Sequence, residues 1–392
     1  MTQAYLERID ARLGDLAAAG RRRALRPVEP VDAVTVRRDG RLLLNFSGND
    51  YLGLARHPLL AERAAAWGRE HGTGATASRL VCGTFALHAA LEDRLAALKG
   101  TEAALLFNSG YQCNEAVLAA LLHPDVAGPA PAVFVDRLAH ASMHQGLRAA
   151  GIRQTRFRHN DLDHLDTLLS RAAPRVARFI VTESVFSMDG DRADLPALVA
   201  LAERHGAFLY VDEAHATGVL GPAGGGLCAE PAVRGRVDLV MGTFGKALGG
   251  FGAYVACSAR LRDWLVNRAG GLIYSTALPP TVLGAIDAAL DLLPTLDAAR
   301  ARLAAHGDTL RAACAAAGLD TLASTTQIVP AVLGPEAPAL AAMAALEDAG
   351  LLAVAIRPPT VPPGTSRLRL ALSAAHDEAQ VERLCDALRR LS

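Results

Sequence analysis

Between residues 103 and 257 the chain alternates short, uninterrupted apolar runs with longer amphipathic stretches, and this alternation limits the fold more than any other feature. The runs Ala103-Ala-Leu-Leu-Phe107, Ala132-Val-Phe-Val135, Phe179-Ile-Val-Thr182, Phe208-Leu-Tyr-Val211, Leu239-Val-Met241 and Tyr254-Val-Ala256 have the length and composition of strands. Strands lacking polar alternation are buried on both faces. They predict an α/β fold with a mostly parallel sheet, covered by helices such as the one marked by Leu87, Leu91, Leu95 and Leu98. Ligands of such sheets bind at the carboxyl ends of strands, so the residues just after each run carry the functional expectation.

The flanks have a different texture. Tyr5, Leu6, Ile9, Leu13 and Leu16 recur at helical spacing and predict a docking helix, closed by Arg21, Arg22, Arg23 and Arg26-Pro27 and followed by an extended arm. Beyond Pro279-Pro280 a long Ala/Leu/Arg helical region, strand-like Ile328-Val-Pro-Ala-Val332, a further helix, Leu368-Arg-Leu-Ala-Leu372 and a last helix suggest a smaller α+β unit. The expected division is residues 1–47 as helix and arm, 48–282 as a large domain and 283–392 as a small one. Forty Lys plus Arg balance forty Asp plus Glu in 392 residues, so no basic surface points to nucleic acid or an anionic membrane. No run of apolar residues is long enough to span a bilayer, and the charged N-terminus lacks a signal-peptide core. Six scattered cysteines without a C-x-x-C pair suggest buried thiols in a reducing compartment and no metal site, so a cytoplasmic protein is expected.

Only Lys99 and Lys246 are lysines, so any lysine chemistry sits at one of two places. Lys99 precedes Gly100 at the end of an amphipathic helix, where a cation and a glycine are ordinary C-terminal features. Lys246 lies among glycines directly after a strand, in Gly242-Thr-Phe-Gly-Lys-Ala-Leu-Gly-Gly250, and suits either a phosphate contact or a Schiff base. The phosphate-loop pattern fails there, because Val240 replaces the first glycine and Ala247 the hydroxyl. That failure also removes the helicase reading of Asp212-Glu-Ala-His215. An acid at a strand end stays ionised when something cationic pairs with it, and a protonated pyridinium would serve. Asn108-Ser-Gly-Tyr111 starts a helix after the first run and offers free N–H groups to a phosphate, although such a turn alone is only a helix start. Lysine, aspartate and helix start together point to pyridoxal 5'-phosphate (PLP).

Five stretches in order carry a family resemblance: Asn45-Phe-Ser-Gly-Asn-Asp-Tyr-Leu-Gly53, Asp136-Arg-Leu-Ala-His140, Thr182-Glu-Ser-Val-Phe-Ser-Met-Asp-Gly190, Asp212-Glu-Ala-His215 and Thr243-Phe-Gly-Lys246. The chain resembles the α-oxoamine synthases, PLP enzymes of fold type I that join an amino acid to an acyl thioester with loss of carbon dioxide. The resemblance implies a seven-stranded-type sheet with a smaller C-terminal domain, and a homodimer. The tail Ala355-Ile-Arg-Pro-Pro-Thr-Val-Pro-Pro-Gly364 looks most like the members of biotin synthesis that join L-alanine to a pimeloyl thioester, carried by coenzyme A or acyl carrier protein. Glycine C-acetyltransferase is the alternative within the family.

By this resemblance Lys246 would hold the cofactor and act as base at the amino-acid Cα, Asp212 would pair with the ring nitrogen, and His140 would stack on the ring and donate hydrogen bonds to the acyl substrate. Ser187 and His215 would bond the ring oxygen, while Gly110, Tyr111 and Thr243 would face the phosphate. Thr276 would reach the phosphate of the other subunit. Asn49 and Arg357 would bind the substrate carboxylate, Thr360 the acyl substrate and Arg23 its distal end, with the register among three adjacent arginines open. The stretch Gly72-Thr-Gly-Ala-Thr-Ala-Ser-Arg79 departs from the family pattern, since Thr76 and Ala77 stand where glycines or small residues are usual. Acyl-chain preference is what this departure puts in question.

Overall fold

The computed structural model describes residues 2–391. Helix α1 (Thr2–Ala18) is followed by strands β1 (Glu29–Pro30), β2 (Thr35–Arg38) and β3 (Arg41–Asn45), then helices α2 (Pro58–His71) and α3 (Ala86–Lys99). The central region runs β4 (Ala103–Phe107), α4 (Gly110–Leu121), α5 (Pro124–Ala127), β5 (Ala132–Asp136), α6 (Ala141–Ala149), β6 (Thr155–Phe157), α7 (Leu162–Ser170), β7 (Arg178–Glu183), α8 (Leu195–His205), β8 (Ala207–Asp212), β9 (Leu239–Thr243) and β10 (Ala253–Cys257). Helices α9 (Ala259–Arg268), α10 (Gly270–Ile273), α11 (Pro280–Leu292) and α12 (Asp297–Ala316) lead into β11 (Ile328–Gly334), α13 (Glu336–Asp348), β12 (Leu351–Leu352), β13 (Val354–Ile356), β14 (Ser366–Ala371) and α14 (Glu378–Arg389).

Seven strands form the central sheet in the order β4-β10-β9-β8-β7-β5-β6, and only β10 runs antiparallel to its neighbours. The short β6 has no counterpart among the apolar runs, because Thr155 and Arg156 are exposed on this edge strand. Alternate residues of the inner strands feed two cores. Phe179, Val181, Tyr210 and Met241 pack toward α4 and α6, while Ile180, Leu209, Val211 and Val240 pack toward α7 and α8. Each such side chain contributes about 1.5–3 kcal/mol of burial, which is why these strands read as continuous apolar runs.

The N-terminal and C-terminal parts join around this layer. β12 pairs in parallel with β3, and β11, β14 and β13 form an antiparallel sheet whose residues share a core with α2, α3 and α11. The long C-terminal helical region is two helices, broken at Leu293–Thr295 where Pro294 stands. The docking helix also differs from expectation: α1 forms, but none of its residues is buried against this chain, and Tyr5, Leu6 and Ile9 are exposed. Thr76 takes a left-handed φ of 58°, so this position keeps the backbone that a glycine would adopt freely. Among the described residues no helix is long and apolar enough to cross a membrane.

Lys99 departs from a solvated helix end. Gly100 does close α3 in the left-handed region, with φ 69°, but the Lys99 side chain is fully buried. Its Nζ donates to Glu213 Oε2 at 2.7 Å, Thr217 Oγ1 at 2.9 Å and the Gly225 carbonyl at 2.6 Å. Burial opposes its charge, and the Glu213 carboxylate outweighs burial and holds the ammonium above the usual lysine range. Gly226 makes room for this pair, since a Cβ there would sit 2.3 Å from Glu213 Oε2. Glu213 therefore faces away from the strand-end crevice and ties the turn after β8 to α3.

A second, partly buried cation ties two loops together. His159 Nδ1 bonds Asp136 Oδ1 at 3.0 Å, and its Nε2 bonds Asp191 Oδ2 at 2.8 Å. Asp136 also accepts from the Leu138 backbone, ahead of His140, and Asp191 ends the loop that carries Ser187. Burial lowers the affinity of His159 for its proton, but the two carboxylates outweigh it and push the ring up to about 10.

Replacing Lys99 with Met strands the Glu213 charge and is expected to cost about 3–5 kcal/mol in urea unfolding; the double change Lys99→Met with Glu213→Leu should recover most of it. A single-variant loss below about 1 kcal/mol contradicts this account. For His159 the folded-state affinity is raised, so its stabilisation is complete below pH 6.5 and disappears as pH rises toward 10. His159→Gln should therefore cost about 2 kcal/mol below pH 6.5 and progressively less toward pH 10, whereas a pH-independent loss contradicts the ion pair.

Candidate active site

The carboxyl ends of β4, β5, β7, β8 and β9 surround a cavity of about 310 Å³. Gly110 and Tyr111 reach it from the first turn of α4, whose N-cap Ser109 accepts from the Gln112 backbone at 3.2 Å. The Gly110 and Tyr111 N–H groups precede any possible intrahelical acceptor, and both residues line the cavity, so this helix start can serve as an anion cradle. A Cβ at Gly110 would lie 2.7 Å from Thr243 Cγ2, so glycine lets the helix start approach β9.

Asp212 ends β8 and accepts from Asn114 Nδ2 at 2.9 Å and from the Ala214 backbone at 2.8 Å. Asn114 is itself fixed, donating to Ser142 Oγ at 2.9 Å and accepting from Tyr210 Oη at 2.6 Å. Across the sheet Glu183 stands in register with Asp212. Burial first, and then the Asp212 charge, push the Glu183 carboxyl well above the usual range, and its Oε1 has no partner. Lys246 lines the same cavity, with Nζ 3.5 Å from Thr243 Oγ1. Burial lowers its proton affinity, and the carboxylates of Asp212 and Glu183 offset part of that effect.

Two imidazoles complete the walls. The His140 Nδ1 receives the Ser142 backbone N–H at 3.3 Å and lies 2.7 Å from Ser142 Oγ, so its ring proton sits on Nε2. Desolvation keeps His140 below the usual histidine range despite Asp212. His215 is held well below that range by burial, then by Lys246 and Arg369, so its ring is neutral. An adjoining cavity of about 300 Å³ shares Asn49, His140, His215 and Lys246 and adds Ser187 and Arg369.

The structure thus gathers Lys246, Asp212, His140, His215, Gly110, Tyr111, Thr243, Asn49 and Ser187 around connected space. The other four expected residues lie outside these two cavities. Arg23 Nη2 contacts Thr360 Oγ1 at 3.5 Å at the surface, and Arg357 Nη1 donates to the Gly20 carbonyl. Thr276 is exposed, its carbonyl taking a 2.8 Å bond from Asn108 Nδ2. Glu183, Asn114, Ser142, Tyr51 and Arg369 are further residues of this site that no sequence motif singles out for a role. Glu183, Tyr51 and Arg369 stand inside or beside the quoted motifs, and Asn114 falls one helical turn beyond Gly110, on the same face of α4.

The residues present fit PLP on the structure's own terms. The helix start supplies N–H donors for a phosphate, Asp212 a fixed carboxylate for a ring nitrogen, and Lys246 an amine of lowered proton affinity for an aldehyde. The aminotransferase class I and II family model matches residues 42–388. A protein of Bordetella pertussis named putative 8-amino-7-oxononanoate synthase is 65% identical over 94% of this chain and 92% of its own length. The 8-amino-7-oxononanoate synthase of Gluconacetobacter diazotrophicus is 60% identical over 96% of this chain and 94% of its own. Among solved structures, a serine palmitoyltransferase from S. paucimobilis with a bound PLP-myriocin aldimine superposes with a TM-score of 0.92 at 29% identity, covering 99% of this chain and 97% of the other. An 8-amino-7-oxononanoate synthase from Francisella tularensis gives 0.75 at 25% identity, over 89% and 97% of the two chains. The chain belongs to the aminotransferase class I and II family and, within its fold-type-I PLP enzymes, to the α-oxoamine synthases.

Proposed function

We propose that this chain catalyses the decarboxylative condensation of L-alanine with a pimeloyl thioester, giving 8-amino-7-oxononanoate, carbon dioxide and the free thiol in biotin synthesis. The observation that carries the reading is the convergence of Lys246, Asp212 and the α4 start on one cavity, in a chain 65% identical to a relative named for that product. PLP, when bound, supplies the electron sink that tolerates negative charge at the amino-acid Cα.

The chain's own residues supply the rest. Lys246 holds the cofactor and afterwards takes the Cα proton, a task suited to an amine whose lowered proton affinity leaves more free base near neutral pH. Asp212 pairs with the ring nitrogen, and Asn114 keeps that carboxylate aimed. His140 and His215, both neutral, present ring N–H donors without adding a competing cation. Asn49 and Arg357 are proposed for the substrate carboxylate, Thr360 for the acyl group and Arg23 for its far end. The position of Arg357, Thr360 and Arg23 outside the cavities fits a rim that receives the longer substrate.

A homodimer belongs to this reading. Val81 and Tyr274 are 79% and 86% exposed, and Leu80 and Phe251 are also uncovered. These apolar side chains and the exposed Thr276 suit a partner surface that brings Thr276 to the other subunit's phosphate site. The same reading takes the enzyme to be cytoplasmic, with coenzyme A or acyl carrier protein as thioester carrier.

Product identification by mass after incubation with L-alanine and pimeloyl-CoA should give 8-amino-7-oxononanoate, and Lys246→Ala should abolish it. Preferential turnover of glycine with acetyl-CoA would contradict the substrate assignment. Sedimentation equilibrium should return twice the 41.0 kDa chain mass, and a monomer that retains full activity would contradict the shared site.

A further inference from the structure

Gly146 lets α6 lie against α4 at Asn114, since a Cβ there would stand 2.7 Å from the Asn114 carbonyl oxygen. The buried Asn114 side chain meets three neighbours at this crossing. Its Nδ2 donates to Asp212 Oδ2 at 2.9 Å and to Ser142 Oγ at 2.9 Å, and its Oδ1 accepts from Tyr210 Oη at 2.6 Å. Asp212 ends β8, Tyr210 stands two residues before it, and Ser142 lies in the first turn of α6. One amide thus joins α4, α6 and β8 at the wall of the cavity.

The direction of each proton follows from the partners. Turned over, the amide would set its carbonyl oxygen against the Asp212 carboxylate, two acceptors in contact, so the Nδ2 side faces Asp212 and Ser142. Tyr210 then gives its hydroxyl proton to Oδ1, which strengthens both N–H donors on the far side of the amide. Ser142 Oγ receives one of those donors, and its own proton goes to His140 Nδ1 at 2.7 Å. The Ser142 backbone N–H reaches the same nitrogen at 3.3 Å. The chain of bonds therefore runs from Tyr210 through Asn114 to two ends: the Asp212 carboxylate and, by way of Ser142, the His140 ring.

We propose that Asn114 is a positioning residue that locks Asp212 and His140 into one unit, so that the group at the ring nitrogen and the imidazole over the ring do not shift independently. The proposal rests on the roles given to Asp212 and His140 above, but the bonds themselves are measurable whatever substrates the enzyme takes. It goes beyond aiming a carboxylate, because a change at Asn114 is felt at a ring that the amide reaches through Ser142. Asn114, Ser142 and Tyr210 are each at most 1% exposed. A broken link therefore leaves a polar group unpaired rather than hydrated.

The test is ¹⁵N NMR of the histidine-labelled, cofactor-loaded protein, with the His140 signals assigned by their loss in His140→Asn, beside equilibrium dialysis of PLP. Asn114→Ala leaves Asp212 only the Ala214 N–H and should weaken cofactor affinity about tenfold, the equivalent of one hydrogen bond. It should also move the His140 Nδ1 signal, which Asn114 reaches through Ser142. Ser142→Ala should move the same signal while cofactor affinity stays within about twofold of wild type. In the double variant kcat should lie within about twofold of Asn114→Ala alone, because one path is broken twice; strictly additive losses overturn the proposal. A folded Asn114→Ala protein with the wild-type His140 signal overturns it too, as does one that holds PLP with wild-type affinity. If that variant does not fold, Tyr210→Phe serves instead: it removes the hydroxyl that holds the amide, and an unchanged His140 signal there has the same consequence.

Discussion

Everything in this site is arranged around a carboxylate held at the end of a buried strand. Asp212 is fixed by a backbone N–H and by Asn114, and Asn114 is fixed in turn by Ser142 and Tyr210. Charge in such a place has consequences for each neighbour. It adds to the burial that pushes the Glu183 carboxyl above its usual range, in register across the sheet, and it partly offsets the desolvation of Lys246 and His140. In the proposed function a cofactor with a protonatable ring nitrogen would pair with that carboxylate.

Two cations outside the cavity, the buried Lys99 and the partly buried His159, make that arrangement rigid. Lys99 holds Glu213, the neighbour of Asp212, and His159 joins the approach to His140 with the loop of Ser187. Both act on backbone that carries functional side chains rather than on those side chains themselves. Arg369 adds a third tie, from the small sheet to Ser187, Asn49 and Tyr51. Buried pairs of this kind add little net stability compared with apolar packing, and their value lies in fixing one geometry.

Much of this was legible in the residues. Continuous apolar runs gave the parallel sheet because each strand is covered on both faces, and the residues following those runs gave the cavity because strand ends converge there. What was hidden depended on side-chain direction across distant segments. Lys99 looked like a solvated helix end, since nothing local reveals that the Glu213 side chain meets it from far along the chain. Arg369 and Tyr51 look like strand and turn residues until β14 is set beside the segment after β3. The exposed apolar face of α1 has the periodicity of a packed helix, yet its period says nothing about which surface covers it.

The scarcity of lysine makes the central claim unusually direct to test. Borohydride reduction of the purified protein, followed by peptide mapping, should place a single pyridoxyl label on the peptide containing Lys246. A label on Lys99, or a protein that takes no label at all, would contradict the account.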